Sequence, residues 1–305
     1  MKRTNVQIGC RRAQAFSLIE ILVAVTLLTV ITVGLLAMFY QTQKAFRIGT
    51  SQVDVLESGR ATMQLICRDL QQMHTSNTDT VTNFLAQPST VPHVVMALPG
   101  GGPDRDNMFQ DVSFLTREGN KWSAISYRVH HNGEGAGTLY RAVLSLDLAS
   151  VLTNSTLMPR HQRDGVANIF NRVSQVFSGS ESVTNVPATP AALNVPPLPP
   201  LVFDRVADGV VHFRVFAYTE TGVLYTNFNY VRRNSEVYHM ANFVPAYLDV
   251  ELAIVDPKAM KQLDVRPDAD ARRNYLATQA YRTHVFRQRI NLRSRQLEHD
   301  LFAAQ

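Results

Sequence analysis

Glu20 is the only charged residue in an apolar run of 25 residues that extends from Phe16 to Tyr40. A carboxylate inside a membrane-spanning segment costs about 3 kcal/mol when it stays unpaired in lipid. Its residue type and its place near the start of the run therefore indicate electrostatic chemistry, in which a positive group neutralises the acid.

Other polar residues offer weaker candidate chemistry. His130 and His131 are adjacent, so on a strand they would point to opposite faces, and we expect them in an exposed turn with no metal role. Asp264, Asp268 and Asp270 have the acid density of a calcium loop, but the glycine and the terminal glutamate of an EF-hand are absent. The sequence contains no HExxH, GxSxG, CxxC or Walker pattern. We therefore predict no catalytic residue, no metal site and no cofactor.

The apolar run is long enough to cross a bilayer as a helix, which needs about 20 residues. Residues 1–15 carry Lys2, Arg3, Arg11 and Arg12 and no acid, so they supply +4 of the formal net charge of +5. The positive-inside rule keeps such a segment in the cytoplasm and places the following domain outside the inner membrane. The basic pI of about 9.3 is thus mainly a property of this leader. It gives no reason to expect nucleic-acid binding.

The order of these segments differs from that of a Sec signal, in which the apolar core precedes a small-residue cleavage site. The stretch RRAQA-FSLIE resembles the type III signal of the type IV pilin and type II secretion pseudopilin superfamily. The resemblance implies that prepilin peptidase cuts between Ala15 and Phe16 and N-methylates Phe16. It also implies that Glu20, the fifth residue after the cut, neutralises the N-terminal amine of a neighbouring subunit. The family usually has glycine at the position of Ala15.

Apolar or small residues recur every three or four positions from Met38 to Met73, and no proline occurs between Met1 and Gln87. We predict one helix from about Ser17 to Met73, apolar on all sides in its first half and amphipathic in its second. The amphipathic half should pack onto a sheet.

Gly34, Gly49 and Gly59 are candidate soft points in this helix, each costing up to about 1 kcal/mol relative to alanine. Cys67 lies in the apolar stripe, where a buried structural thiol is favoured over a reactive one. The other cysteine, Cys10, lies in the leader, so we expect no disulfide.

After Met73, short runs of alternating apolar and β-branched residues predict strands. They are Val112–Thr116, Trp122–His131, Thr138–Leu146, Val210–Thr219, Val223–Tyr230 and Tyr247–Val255. The second and third should form a hairpin with a glycine-rich turn. Residues 178–200 are rich in Ser, Thr, Ala and Pro, which predicts an exposed insertion. Two helices, near Pro257–Leu263 and Asp268–Ala280, and a strand over Tyr281–Leu292 should complete the chain.

These patterns predict an α+β fold in which a long N-terminal helix, transmembrane in its first half, packs on an antiparallel β-sheet. The expected division is a leader (1–15), a transmembrane or filament-core helix (16–40), an amphipathic extension (41–73), a β-rich globular domain (74–256) and a basic helical and strand tail (257–305). Segments such as Ser58–Gln72, Ile125–Val129 and Gly137–Arg141 are similar to parts of J-type minor pseudopilins and PilW-like minor pilins, so the resemblance implies a pilin-like fold.

The leading hypothesis is a minor pseudopilin or minor pilin, a non-enzymatic subunit of a type II secretion pseudopilus or type IV pilus. Its expected partners are prepilin peptidase, other pilin or pseudopilin subunits and the inner membrane, with no nucleic acid. One alternative is a membrane-anchored binding module or adhesin that never polymerises and keeps its leader. Another is a periplasmic hydrolase on a pilin-like anchor, which would need a catalytic constellation in the folded domain.

Overall fold

The computed structural model describes residues 17–76, 81–89, 94–96, 105–131, 135–147, 166–174, 201–225, 238–240 and 243–292. Helix α1 (Leu18–Gln71) has 54 residues and confirms the predicted long helix to within two residues at each end. Contacts divide the chain into two units, Met1–Ser51 and Gln52–Gln305. In the first unit, every described side chain up to Thr50 is exposed.

The second unit is built around an antiparallel sheet. Ten strands are described after α1: β1 (Phe84–Pro88), β2 (Val94–Met96), β3 (Arg105–Asn107), β4 (Gln110–Glu118), β5 (Lys121–His131), β6 (Gly137–Asp147), β7 (Phe203–Tyr218), β8 (Tyr238–Met240), β9 (Tyr247–Val255) and β10 (Thr283–Asn291). Eight form one sheet in the order β10-β9-β7-β6-β5-β4-β1-β8, and β2 pairs with β3. All these pairings are antiparallel, which confirms the predicted α+β, pilin-like fold.

Among the described residues, three shorter α-helices and one 3₁₀ helix (Ala280–Arg282) lie between the later strands. Helix α2 covers residues 166–174, and α3 (Pro257–Asp264) and α4 (Ala269–Ala277) follow β9. Helix α3 begins after Asp256, whose carboxylate accepts a hydrogen bond from the N–H of Lys258 at 2.8 Å. Proline occupies the first helical position, where its missing N–H costs no hydrogen bond. The two helices predicted after residue 256 are thus present.

The predicted strands agree with the structure at β4, β5, β6, β9 and β10, and β5 and β6 form the predicted hairpin. Two expectations were wrong. The segment Val223–Tyr230 is no strand where it is described, because Leu224 makes only an isolated bridge to Tyr218. His130 and His131 belong to β5, which agrees with the predicted strand Trp122–His131 and contradicts the exposed turn also expected for them, and the half-buried His130 ring lies edge-on to Tyr140. The predicted insertion at 178–200 lies outside the described residues.

Both faces of the sheet are covered. On one face, α1 contributes apolar residues to a core with side chains from most of the strands, among them Val55, Met63, Ile66, Leu70, Phe114, Tyr127, Phe213, Val250 and Ile290. On the other face, α2 packs Ile169 and Val173 against Leu115 and Leu144. A third cluster joins α3 and α4 to β9 through Leu263, Leu276 and Ala253. The buried face of α1 begins at Val55, so the helix packs on the sheet as predicted, but only over the later part of the predicted amphipathic segment 41–73.

A buried ion pair fixes α1 to the middle of the sheet. The carboxylate of Asp69 accepts hydrogen bonds from the Tyr127 hydroxyl and from Nε of Arg141, both at 2.6 Å. Tyr127 and Arg141 are register partners on β5 and β6. The pKa of Tyr127 is raised, mainly because its hydroxyl is buried and also because the negative charge of Asp69 lies beside it. Asp69 is buried and Arg141 half-buried, so replacing Arg141 would leave a buried carboxylate without its cation, which costs about 3 kcal/mol.

A close approach fixes α1 to β10. Gly59 is buried, and a Cβ at this position would overlap the ring of Phe286 on β10. Gly34 and Gly49, by contrast, have open space around the position of a Cβ. The helix also continues through all three glycines. The expectation that Gly59 is a soft point is therefore wrong. The missing Cβ of this glycine lets α1 pack closely against β10.

We expect Gly59→Ala to destabilise the protein by about 1–3 kcal/mol, because the clash outweighs the gain in helix propensity of about 1 kcal/mol. The measurement is thermal unfolding of the full-length protein in detergent. Gly49→Ala is the matched control and should be neutral or slightly stabilising. Adding Phe286→Leu to Gly59→Ala should restore part of the loss. Equal melting of the two single variants would contradict the packing role.

Charged and polar side chains link three neighbouring strands, β7, β9 and β10, at one end of the sheet. Nδ1 of buried His212 accepts a hydrogen bond from the N–H of Met108 at 3.1 Å, so the neutral ring carries its proton on Nε2. That nitrogen lies 3.2 Å from the carboxylate of Glu251, which is also paired with Arg287. The hydrogen bond from His212 holds the pKa of Glu251 at about 2, although burial opposes this shift.

The pKa shift makes stability depend on pH. The folded-state pKa of about 2 lies below the ordinary value of 4.5, so ionised Glu251 stabilises the protein above pH 4.5. This contribution is lost as the pH falls towards 2. Glu251→Gln should therefore lower the free energy of unfolding near pH 7, and the gap to the unaltered protein should narrow near pH 3. Urea unfolding at both pH values measures the gap. Asp270→Asn, at an exposed pair with Arg273, is the control with a small effect. A gap of constant size would contradict the prediction.

Candidate functional site

The candidate site begins at the two residues flanking the predicted cleavage point. Ala15 and Phe16 lie outside the described residues, so their processing roles stay predictions. The description starts at Ser17, one residue before α1. A cut between Ala15 and Phe16 would therefore leave two residues ahead of the helix.

Ser17 caps α1 and thereby positions Glu20. The N–H of Glu20 donates to Oγ of Ser17 at 3.3 Å and to its carbonyl oxygen at 3.0 Å. The spacing Ser-x-x-Glu is that of a capping box. An acid in the first turn also interacts favourably with the helix dipole. Ser17 is a functional residue that apolar periodicity alone does not reveal, although the Ser-x-x-Glu spacing is visible in the sequence.

The three threonine hydroxyls of the apolar span are satisfied within the helix. Thr26 donates to the carbonyl of Val23 at 2.8 Å, Thr29 donates to that of Thr26 at 2.8 Å, and Thr32 donates to that of Leu28 at 2.7 Å. Because of these hydrogen bonds, the threonine side chains can lie in an apolar environment without leaving a hydroxyl donor unpaired. In contrast, the exposed carboxylate of Glu20 makes no hydrogen bond or ion pair with another described residue. Its need for a partner is not met inside the described chain.

The apolar surface around Glu20 is large. Long aliphatic side chains are exposed on all sides of the helix, including Leu18, Ile21, Val25, Leu28, Ile31 and Leu35. Surface of this size has to be covered by lipid or by protein. The helix is long and apolar enough to span a membrane, so it is compatible with a single-pass anchor.

Cys67 lies in the second unit, where its side chain is buried and its thiol is free. Burial raises the pKa of its thiol to about 11, so the thiol stays protonated at neutral pH. A protonated, buried thiol is a poor nucleophile and a poor metal ligand. The prediction of a buried thiol is confirmed.

A groove of about 680 Å³ lies between α1, the ends of β6 and β7, and α3. Its polar lining includes Asp208, which accepts hydrogen bonds from Thr138 at 2.9 Å and from Nε of Arg205 at 2.7 Å. These bonds hold the Asp208 carboxylate in a structural pair. Within the described ranges, no three His, Cys, Asp or Glu side chains are placed to hold a metal ion. Asp270, one of the three acids weighed for calcium, pairs with Arg273 at 2.8 Å.

One family model matches the N-terminal part of the chain. Residues 10–36 match the model of the prokaryotic N-terminal methylation motif. This stretch contains Ala15, Phe16 and Glu20. No curated protein and no solved structure matches the chain. The finer similarity to J-type pseudopilins and PilW-like pilins therefore gains no support from these comparisons.

A motif of this type implies processing by prepilin peptidase and assembly with other pilin-type subunits. It indicates a family of structural subunits rather than enzymes. The motif lies where α1 begins, and α1 leads into an antiparallel sheet. The chain thus carries the N-terminal methylation signal typical of type IV pilins and pseudopilins, on a long apolar helix followed by a pilin-like α+β fold.

Proposed function

We propose that the chain is a minor pseudopilin or minor pilin, a non-enzymatic subunit of a type II secretion pseudopilus or type IV pilus. The observation that carries the proposal is the state of Glu20. It lies within the methylation motif, in an otherwise apolar helix whose threonine hydroxyls are satisfied. The described chain supplies no partner for its carboxylate, so a second subunit is the natural source.

In this proposal, prepilin peptidase cuts between Ala15 and Phe16 and methylates Phe16. The new amine is positive and stands at the positive end of the helix dipole, so it also needs a negative partner. Glu20 of one subunit and the amine of its neighbour are each costly when desolvated alone and tolerable as a pair. Because the two groups lie only a few residues apart, their pairing favours one axial register between neighbouring helices.

Before assembly, the basic leader keeps the N-terminus in the cytoplasm, and the unit from Gln52 onwards lies outside the inner membrane. After processing, residues 16–40 move from lipid into the core of a filament, and residues 41–73 connect them to the globular part. The large β-rich unit, with the insertion that the sequence predicts at 178–200, suits a rare subunit at or near the filament tip. A shaft subunit is repeated at high density and favours a smaller exposed part.

Glu20→Ala should leave membrane insertion and N-terminal methylation intact and lower recovery in sheared filaments by about tenfold or more, because the neighbour's amine is left unpaired. Glu57→Ala is the matched control, since Glu57 is an exposed acid on α1 outside the apolar run. Recovery is measured by immunoblot of sheared and membrane fractions. Equal recovery of both variants would contradict the assembly role.

N-terminal sequencing and intact mass of the membrane-derived protein separate this proposal from its alternative. A chain that starts at N-methylated Phe16 supports a processed subunit. An intact leader would contradict the proposal and would favour a membrane-anchored binding module or adhesin that never polymerises.

A further inference from the structure

Asp111 on β4 is a buried carboxyl group that has no role in the proposed function. Its neighbour across the β4–β5 pair is Arg128, and the side chains of Asp111 and Arg128 are only 7% and 8% exposed. Farther along the same face of the sheet, these two strands contribute Leu115 and Ala124 to the apolar cluster under α2. The carboxyl group is therefore shielded from bulk water.

The contact between Asp111 and Arg128 is an ion pair without a hydrogen bond. Oδ1 of Asp111 lies 3.8 Å from Nε of Arg128, beyond the range of about 2.7–3.2 Å for such a bond. Among the described residues, this buried oxygen has no hydrogen-bond partner. Asp69, by contrast, accepts two hydrogen bonds of 2.6 Å from Tyr127 and Arg141. The two buried acids thus differ in how well the structure compensates their ionised form.

The neighbouring elements bring mainly neutral polar groups and cations to this face. Gln87 on β1 is the register partner of Asp111, and the hydroxyls of Ser113 and Ser126 bond to each other at 2.7 Å. The charged and titratable residues of the adjoining elements are Arg128 and His130 on β5, Tyr140 on β6, Arg205 on β7, which pairs with Asp208, Arg172 on α2, and exposed Asp106 on β3.

Two effects on the Asp111 carboxyl group oppose each other. Burial favours its protonated form, and the positive charge of Arg128 favours its ionised form. Burial is the larger effect, so the pKa of Asp111 is raised to about 7. An arginine at 3.8 Å without a hydrogen bond compensates only part of the lost hydration.

We propose that Asp111 is a proton-binding residue that makes the β-rich unit more stable in a mildly acidic medium than in an alkaline one. In the acidic medium the buried carboxyl group is neutral, and a neutral group loses much less free energy on burial than a charged one. In the alkaline medium it ionises between β4 and β5. The inference does not depend on the proposed function.

The direction of this pH dependence is opposite to that of Glu251. The folded-state pKa of Asp111, about 7, lies above its ordinary value of 3.8, so stability is lost as the pH rises from 3.8 through 7. The contribution of Glu251 is lost as the pH falls from 4.5 towards 2. Together, the two buried acids favour greatest stability at about pH 4–5.

The test compares Asp111→Asn with the unaltered full-length chain by thermal unfolding in detergent at pH 4.5 and pH 8. Asparagine has nearly the shape of protonated aspartic acid and does not ionise. The variant should melt within about 3 °C of the unaltered chain at pH 4.5 and about 5 °C or more above it at pH 8. Asp54→Asn is the matched control, since Asp54 is exposed on α1, and its effect should be small at both pH values. A difference for Asp111→Asn that is the same at both pH values, or a lower melting temperature at pH 8, overturns the inference.

A second readout follows the proton itself and does not require unfolding. The side-chain carboxyl carbons of aspartate are labelled with ¹³C in the full-length chain in micelles, and the Asp111 signal is the one that Asp111→Asn lacks. A titration midpoint above about pH 6 supports the inference, because an ordinary aspartate titrates near pH 4. A midpoint below that value overturns it, whatever the melting temperatures show.

Discussion

A carboxylate that leaves water must find a positive or hydrogen-bonding partner, and α1 carries such a group near each end. Near the C-terminal end, Asp69 meets Tyr127 and Arg141 inside the same chain, which holds the helix on the sheet. Near the N-terminal end, Glu20 meets no described partner. One physical rule therefore accounts for a complete folded unit at one end and, as we propose, an intermolecular contact at the other.

Regular sequence patterns predicted the regular parts of the fold. The absence of proline up to Gln87 and the helical spacing predicted α1, and apolar alternation predicted β9 to the residue. The strands that were missed break those patterns. β1 ends in Pro88, β8 has three residues, and the first half of β7 contains charged residues such as Asp204 and Arg205. Their strand conformation is imposed by neighbouring strands, which a local pattern cannot reveal.

The candidate site also has features that a local sequence pattern reveals and features that only the fold reveals. The methylation motif and the apolar helix are local and were identified from the sequence, and the family comparison agrees. The roles of Ala15, Phe16 and Glu20 remain predictions from the resemblance. The partners of Asp69 and the ring against Gly59 depend on residues far along the chain, so no spacing rule could name them. The same holds for Glu251, whose hydrogen bond comes from His212 on another strand.

The contact between Gly59 and Phe286 has a consequence for how the molecule is made. It joins the first helix to the last described strand, so most of the chain lies between the two surfaces. Pairings of such long sequence separation form slowly, because a large loop must be closed first. The helix surface around Gly59 is thus synthesised early and stays uncovered until β10 emerges. During this interval, the nascent chain exposes an apolar stripe that is prone to aggregation.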